Sequence, residues 1–480
     1  MDRARTAMTD GFWRTQVVVA MSALVAAACS FAPKYVRPAV PVADTYKEAA
    51  GSDGWKPAEP NDQQTRGRWW EAYNDAQLSA LEDQVAAQNQ SLAAAAANVD
   101  VARALVREAR AQYFPTVSAA PSIAKQRVST GFGQSLGVIY TTYTLPVEAS
   151  WEPDLWGRVR NTVQSTAFGA QAAVADRENV RLAVQAELAG EYFELRASDL
   201  LKQILDATVA SYEEAAAVTR DRFNAGLEAD EAVAQAETQL ANARAQDADV
   251  GIARAQYEHA IAVLVGQSPS AFAMTPNAAT TDVPGVPVGV PSTLLERRPD
   301  IAASERAVAQ ANAQIGIARS AFFPMLALTA SAGFQNVTVA DWFTWPSRVW
   351  AFGPSVVQTI FDAGARRAEV QRTHAAYDEV VANYRQTVLT AFQQVEDNLA
   401  AVRILADVIA QQDLAVAAAQ RALDDANTRY TTGLDPYLNV IAAQAALLGS
   451  RQAAVNSRAQ RLVASVQLVK ALGGGWQQPF

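Results

Sequence analysis

The sequence predicts a mostly α-helical protein that also contributes strands to a membrane β-barrel, with the same order of elements occurring twice. Three observations predict this architecture: long stretches with helical spacing of apolar residues, two shorter regions in which apolar and polar residues alternate, and identical residues separated by a constant 207 positions. Half of the 480 residues are apolar, so the chain can also bury a sizeable core. We therefore expect two homologous halves, each with long helices and a pair of strands.

Six stretches are rich in Ala, Gln, Glu, Arg and Leu, with apolar residues three and four positions apart and proline only at their ends. These predicted helices cover residues 75–113, 157–222, 230–265, 292–322, 363–429 and 437–471. At about 1.5 Å per residue, the stretch 157–222 alone would be about 100 Å long, beyond the helices of ordinary globular domains. Such lengths indicate coiled-coil-like packing.

Two regions break the helical pattern, and each follows a Phe-Pro dipeptide. The predicted strands are about 116–127 and 140–152 in the first region, and about 325–337 and 350–361 in the second. A period of two over about ten residues is typical of a transmembrane barrel strand, with one face toward lipid and one toward the lumen. Nearby aromatic residues suit an interfacial belt, although half-buried aromatics of a soluble sheet would give the same pattern. They are Trp342, Trp345, Trp350 and Phe352.

Identical residues recur through both halves at one offset. The pairs are Gly157 and Gly364, Arg160 and Arg367, Arg222 and Arg429, Gly226 and Gly433, and Gly266 and Gly473. The Phe-Pro dipeptide recurs at an offset of 209, so a two-residue length change lies in the strand region. The predicted organisation is a first repeat at 68–270, a linker at 271–290, a second repeat at 291–473 and a C-terminal tail at 474–480.

Each half is predicted to contain an αα-hairpin, at 222–230 and at 429–437, with the turn motif Arg-aromatic-x-x-Gly-Leu. Gly226 and Gly433 permit the left-handed conformation that ends a long helix. Acidic residues and Pro436 follow these glycines, as a capping-type acid and a helix-starting proline would. Any antiparallel coiled-coil pair could contain such a turn, so the motif alone does not specify a function.

Residues 1–28 are predicted to be a signal peptide. Arginines precede an apolar stretch, about 17–28, that is too short to cross a bilayer as a helix. Small residues lead directly to Cys29, similar to the lipobox of bacterial lipoproteins, although Ala26 occupies the usual leucine position. We expect acylation of Cys29, palmitate included, and an extended Pro-rich lipid-anchored arm at 29–67. The alternative is a plain signal peptide that leaves Cys29 free, and labelled-palmitate incorporation distinguishes the two.

These features resemble the TolC-like outer-membrane factors of tripartite efflux pumps, particularly the lipoprotein branch known as the NodT family. The resemblance covers essentially all of the chain after Cys29, and several motifs occur in the family's order. They are Pro33-Lys-Tyr35-Val-Arg-Pro38, Arg68-Trp69-Trp70, Trp151-Glu-Pro-Asp154-Leu-Trp-Gly157-Arg-Val-Arg160, Arg297-Arg298-Pro299-Asp300-Ile301, Phe361-Asp362-Ala-Gly364 and Ala471-Leu-Gly-Gly-Gly-Trp476. In the family, the motifs around Asp154 and Asp362 mark the passage from barrel to helix.

The resemblance implies a homotrimer in the outer-membrane lipid, in which each chain gives four strands to one twelve-stranded barrel and its helices to a periplasmic tunnel. The residues support oligomerisation independently, because four strands cannot close around a lumen and an open edge in lipid leaves backbone groups unpaired. A small soluble sheet within one chain is the alternative. The implied partners are a periplasmic adaptor and an inner-membrane resistance-nodulation-division transporter.

In the family, the periplasmic tip is closed by inward-pointing polar and acidic side chains near the second αα turn. The resemblance carries this role to Asp435, Leu438 and Asn439, and the first-half residues Glu228, Asp230 and Glu231 could add polarity. The chain departs from its relatives at the branch's pore-facing aspartate, which is Ala442 here, and at a nearby arginine, which is Ala445. Each candidate could instead be an ordinary solvated turn charge or a helix-packing leucine.

Charge and motifs exclude several other classes. The net charge of −9 provides no basic patch for nucleic acid, and His259 and His374 lie in separate stretches without metal-ligand spacing. P-loop, zinc-protease and nucleophile-elbow motifs are absent, so neither an enzyme nor a cofactor is expected. The sequence thus predicts a passive exit duct for drugs or other small toxic compounds. The alternatives are a duct for type I protein secretion and a non-conducting coiled-coil lipoprotein.

Overall fold

A computed structural model of the chain describes residues 31–42, 46–48, 67–127, 139–285 and 297–474. The predicted signal peptide, Cys29, residues 475–480 of the predicted tail, and parts of the predicted arm and linker lie outside the described residues. The chain divides into two compact units. The strand unit contains the chain up to Ala39 together with Asn98–Ala173 and Ser304–Tyr384. The helical unit contains Val40–Ala97, Val174–Ala303 and the chain from Arg385 onward.

The described helices follow the predicted ones. They are α1 Ala76–Gln88, α2 Gln90–Ala111, α3 Arg158–Asn224, α4 Asp230–Leu264, α5 Pro299–Ser320, α6 Ala365–Thr431 and α7 Tyr437–Ala471, with short 3-10 segments at Trp69–Tyr73, Pro269–Ala271 and Trp345–Ser347. The helices α3 and α6 each have 67 residues, and α4 and α7 each have 35. In the part of the chain that the structure describes, no helix is both long and apolar enough to span a bilayer.

The first predicted helix is interrupted at Asn89, which the sequence pattern did not indicate. The Asn89 side chain accepts a hydrogen bond from the Leu92 N–H at 3.0 Å and donates one to the Leu264 carbonyl at 2.8 Å. Asparagine side chains compete for backbone partners in this way and begin new helices. The prediction of one continuous helix was therefore wrong, because the hydrogen bond between Asn89 and the end of α4 stabilises the interruption.

The strand unit contains one antiparallel sheet. Its strands are β1 Thr116–Ala119, β2 Ser122–Arg127, β3 Ile139–Trp151, β4 Met325–Asn336 and β5 Arg348–Val357. They pair in the order β1-β3-β4-β5, and β2 pairs with the other end of β3. The strands β3 and β4 have the predicted bounds to within one residue.

The two outer strands differ from prediction. The first is divided at Pro121, because proline has no N–H to donate to the ladder; Ala120 still donates to the Pro146 carbonyl at 3.3 Å. The last strand covers 348–357 instead of 350–361, so Phe361 lies beyond it. The alternating pattern continues beyond Val357 into the turn around Asp362, so the end of the strand was predicted too late.

The main core of the helical unit is aromatic. Its largest side chains are Trp69, Trp70, Tyr73, Tyr192 and Phe193. Helix α1 adds Leu78 and Leu81, and its Glu82 is completely buried with no hydrogen-bond partner for either carboxyl oxygen among the described residues. Burial raises the pKa of Glu82 to about 9, so its carboxyl group is protonated at neutral pH.

In the strand unit, the arm lies along α5 and α6. The contacts are a ring stack of Phe31 on Phe323 at 4.1 Å, a hydrogen bond from Tyr35 to Glu305, and one of 3.1 Å from Arg37 to the Tyr384 hydroxyl. A side chain at Gly316 would come within 2.6 Å of Ala32, so this glycine makes room for the arm. The arm is thus packed and not merely a tether.

In the helical unit, the arm contacts α6 again. The Tyr46 ring is 3% exposed and packs in a cluster that includes Val395. The backbone N–H groups of Lys47 and Glu48 donate to the Glu396 carboxylate at 2.7 and 3.0 Å. These backbone bonds fix the direction of the chain independently of the arm's side chains.

Candidate functional site

The two αα turns have the same backbone closure. Gly226 and Gly433 have φ of +71° and +77°, in the left-handed region that favours glycine. In each turn the leucine after the glycine donates to the carbonyl of the motif arginine, as in a Schellman motif. The bonds run from Leu227 to Arg222 and from Leu434 to Arg429, each at 2.8 Å. The motif therefore ends both long helices in the predicted manner.

The helices that follow the turns start differently from the prediction. The N-cap residues are Ala229 for α4 and Pro436 for α7, and neither cap has a side-chain hydrogen bond. The prediction of an acidic cap was wrong. The nearby carboxylate of Glu228 contacts Tyr430 and Arg222 instead, and that of Asp435 pairs with Arg429. Asp230 is in the first turn of α4, where negative charge favours the helix N-terminus.

Each turn carries an ion pair at equivalent positions. Arg429 and Asp435 are 2.7 Å apart in the second turn, and Arg222 and Glu228 are 3.8 Å apart in the first. Both members of these pairs are separated by 207 residues between the halves. The Arg429 guanidinium, with help from Asn439, holds the pKa of Asp435 below its usual range.

Tyr430 ties the two turns together. Its hydroxyl donates to Glu228 at 3.1 Å, and the Arg222 guanidinium lies 4.6 Å from the centre of its ring. The ring packs on Tyr437 at 5.1 Å, and both tyrosines are buried. We name Arg222, Glu228, Tyr430 and Tyr437 the turn lock. Tyr430 is the aromatic residue of the second turn motif, but nothing in the sequence indicated Tyr437 or the contact with Arg222.

The other predicted tip residues lie on the surface of the chain. Leu438 is 55% exposed, and Asn439, Asp230 and Glu231 are also exposed. Leu438, Ala442 and Ala445 recur at helical spacing and form one exposed face at the start of α7. This face is therefore apolar, with alanine at two of its three positions. Leu227 and Leu434, 70% and 72% exposed, add apolar surface at the turns.

The passage from strand to helix is built on an aspartate. After β3, the Asp154 carboxylate accepts hydrogen bonds from the N–H groups of Val159 and Arg160 at 3.0 and 2.8 Å. Gly157, with φ of +79°, makes the turn that brings these groups together. The carboxylate therefore satisfies free N–H groups and favours the helix dipole at the start of α3.

The equivalent passage before α6 uses Asp362. This carboxylate accepts from the N–H groups of Gly364 and Arg366 at 3.1 and 3.3 Å, and from the Arg366 side chain at 2.5 Å. Gly364 has φ of +91°. In the first passage, Trp151 donates from its indole to the Tyr113 carbonyl at 3.1 Å. These motif residues act as structural joints, and the sequence identified their location but not their hydrogen bonds.

A cavity of about 470 Å³ in the helical unit is lined by three arginines, by Asp282 and by threonine and apolar side chains. Arg196 is paired with Asp199 at 2.8 Å and Arg458 with Asp413 at 2.5 Å, so two of its cations are already neutralised. Among the described residues, no group of three or more His, Cys, Asp or Glu side chains could hold a metal ion.

Comparison with known proteins identifies relatives over nearly the whole chain. A family model described as "Outer membrane efflux protein" matches residues 81–267 and again 290–474. The probable efflux pump outer membrane protein TtgC of Pseudomonas putida is 34% identical over 96% of this chain and 95% of its own. The outer membrane protein OprJ of Pseudomonas aeruginosa is 32% identical over 95% of each chain.

The fold also has solved counterparts. The crystal structure of the open state of the Neisseria gonorrhoeae MtrE outer membrane channel superposes with a TM-score of 0.81. Its sequence is 29% identical, and the match covers 93% of this chain and 98% of that one.

Proposed function

The chain belongs to the outer membrane efflux protein family, and from this premise we propose that it is the outer-membrane channel of a tripartite efflux system. It is a passive duct through which drugs or other small toxic compounds leave the cell, and we assign it no catalytic role. The sheet carries this proposal. Trp350 and Phe352 on one face are 81% and 67% exposed, whereas the other face has hydroxyl and small side chains. Such a sheet suits lipid on one side and an aqueous lumen on the other.

The proposed assembly is a homotrimer. The sheet of one chain has open edges at β1 and β2 on one side and at β5 on the other. Unpaired edges are costly in lipid, and three copies joined edge to edge would form one closed barrel. We propose that the long helices of the three chains continue this barrel as a periplasmic tunnel.

We propose that the two halves are structural repeats. The equal lengths of α3 and α6, and of α4 and α7, support this, as does the double match of the family model. A further parallel is packing: a side chain at Gly266 would lie 2.5 Å from the Gln88 carbonyl oxygen, and one at Gly473 would lie 2.8 Å from that of Arg297. The glycines are 207 residues apart and the carbonyls 209, as in the sequence repeat.

We propose that Cys29 anchors the chain to the outer membrane by its lipid. Phe31, two residues later, stacks on Phe323, which is two residues before β4. Trp156, between β3 and α3, stacks on the same ring at 5.1 Å. The arm therefore begins beside the ends of the strands, where acyl chains on Cys29 would reach the bilayer.

The implied partners are a periplasmic adaptor and an inner-membrane resistance-nodulation-division transporter. The relative TtgC is described as a probable efflux pump outer membrane protein, and a passive duct needs an energised pump. The alternatives are a duct for type I protein secretion and a non-conducting structural lipoprotein. Detergent-resistant trimers would argue against the structural lipoprotein.

We propose that the turn lock and the exposed face of α7 control the width of the tunnel's periplasmic end. Tyr430→Phe removes the bond to Glu228 and leaves that carboxylate short of a donor. We expect the contact between the two turns to be weakened by about 1.5 kcal/mol. The fraction of molecules in which the turns are separated then rises about tenfold. The measurements are single-channel conductance, which should rise, and amide exchange at the turns, which should accelerate.

Tyr377→Phe is the matched control, because it removes a tyrosine hydroxyl from α6 outside the turns. It should leave conductance and exchange unchanged. If Tyr430→Phe behaved like this control, the turn lock would not hold the tip. The loss caused by Tyr430→Phe combined with Glu228→Ala should be smaller than the sum of the two single losses, since both changes remove the same bond.

Ethidium retention in a deletion strain tests the proposed function. Without the duct, we expect raised dye retention that the wild-type gene restores. An uncoupler should abolish the difference between strains, because the pump requires energy. Normal retention in a strain without a redundant duct would contradict drug efflux and favour protein secretion or a dedicated pump. The culture-medium protein profile of the two strains then decides between these.

A further inference from the structure

The register of the strands divides the sheet into two faces of different chemistry. Residues with odd numbers on β3, and their partners, form an apolar face that includes Tyr143, Leu145, Val147, Leu328, Phe334 and Phe352. Those with even numbers form a polar face that includes Ser122, Thr142, Thr144, Ser331, Gln335 and Ser355. Under the proposed function, lipid contacts the apolar face and the lumen is lined by the polar face.

Glu148 lies on the polar face. It is directly opposite Ser118 on β1 and Ser331 on β4, so its neighbours across the ladder are uncharged. Its side chain is exposed, and no ion pair involves it among the described residues. The carboxylate therefore stands free on a surface of hydroxyl and small side chains.

The other charges of the described strands are elsewhere. Lys125, Arg127 and Arg348 share the apolar face, at or within two residues of a strand end. Long basic side chains in such positions reach the lipid head groups. Glu152, just beyond β3, is neutralised by Arg158 at 2.7 Å. Within the described strands, Glu148 is thus the single charged residue of the polar face.

We propose that Glu148 makes the barrel lumen selective for cations. The inference rests on the proposed trimeric duct, in which three symmetry-related carboxylates form one ring in an otherwise uncharged lumen. A carboxylate ring raises the local concentration of cations and repels anions. Selectivity should be moderate because a twelve-stranded barrel is wide, and it should depend on salt. The favoured solutes are cationic and hydrated ones.

Reversal potentials across planar bilayers test the proposal. In a tenfold KCl gradient around 0.1 M, where the Debye length is about 10 Å, we expect wild-type channels to prefer K⁺ over Cl⁻ about two- to fourfold more than Glu148→Gln channels. Glu148→Lys should bring the ratio below that of Glu148→Gln. Around 1 M salt, where the Debye length is about 3 Å, the three ratios should converge.

Ser331→Gln is the control, because it adds a side chain of similar size opposite Glu148 without changing charge. It should reduce conductance slightly and keep the selectivity. Conducting Glu148→Gln channels with the wild-type ratio at low salt would overturn the inference; this isosteric variant decides the question even if Glu148→Lys fails to assemble. A wild-type protein that forms no channels would instead overturn the proposed duct itself.

Discussion

Gly266→Ala should destabilise the folded chain by about 3 kcal/mol or more. Two separate penalties combine at this position. The backbone has φ of +74°, which costs a residue with a side chain about 1 kcal/mol. The new methyl group would also lie 2.5 Å from the Gln88 carbonyl oxygen, so backbone must move where α1 ends. Urea unfolding of the detergent-solubilised protein, followed by tryptophan fluorescence, measures the loss.

Gly226→Ala separates the two penalties. This residue has a similar φ of +71°, but the space around its missing side chain is open. Alanine there should cost only the conformational penalty of about 1 kcal/mol. Gly473→Ala, with φ of +90° and the Arg297 oxygen 2.8 Å away, should resemble Gly266→Ala. Equal losses at Gly226 and Gly266 would mean that the close backbone approach has no energetic consequence.

Glu82→Gln should stabilise the protein increasingly as pH rises. The folded-state pKa of about 9 is raised above the ordinary value of 4.5 by burial, so the native state retains a proton that the unfolded state releases. Between those values, wild-type stability falls with pH by up to about 1.4 kcal/mol per unit from this group. Through this group the wild-type protein is therefore about 3 kcal/mol less stable at pH 7 than at pH 4.5. The Glu82→Gln variant has no such loss, because glutamine does not titrate.

The measurement is the difference in unfolding free energy between Glu82→Gln and wild type from pH 4.5 to 8. It should grow steadily toward high pH. The exposed Glu108 of α2 provides the control, since Glu108→Gln should change stability by less than about 0.5 kcal/mol at any of these values. A difference for Glu82→Gln that does not depend on pH would show that the carboxyl group is ionised, and therefore solvated, in the folded protein.

The parts of the fold that local sequence determines could be predicted. The bounds of α7 match the predicted 437–471, since apolar spacing and Pro436 define them. The break at Asn89 was missed because its cause is a hydrogen bond to Leu264, which is remote in sequence. Pro121 was visible in the sequence, yet alternation on both sides concealed that it divides one strand into two.

The candidate site shows the same limit. The turn glycines and the joint aspartates were identified because each acts on residues a few positions away. The turn lock was not, since Glu228 and Tyr430 come from different halves, 202 residues apart. The burial of Glu82 was also unpredictable, because an acidic residue in an amphipathic helix is usually solvated and only the packed core decides otherwise.

The arm has a consequence for the order in which the chain can fold. Its partners are 270 residues away for Tyr35, 347 for Arg37 and 349 for Lys47. A chain synthesised from its N-terminus produces these partners last, so the arm cannot dock until most of the chain has been made. Contacts of such long range close slowly. Docking of the arm is therefore a late step in folding, because it requires that α5 and α6 have already formed.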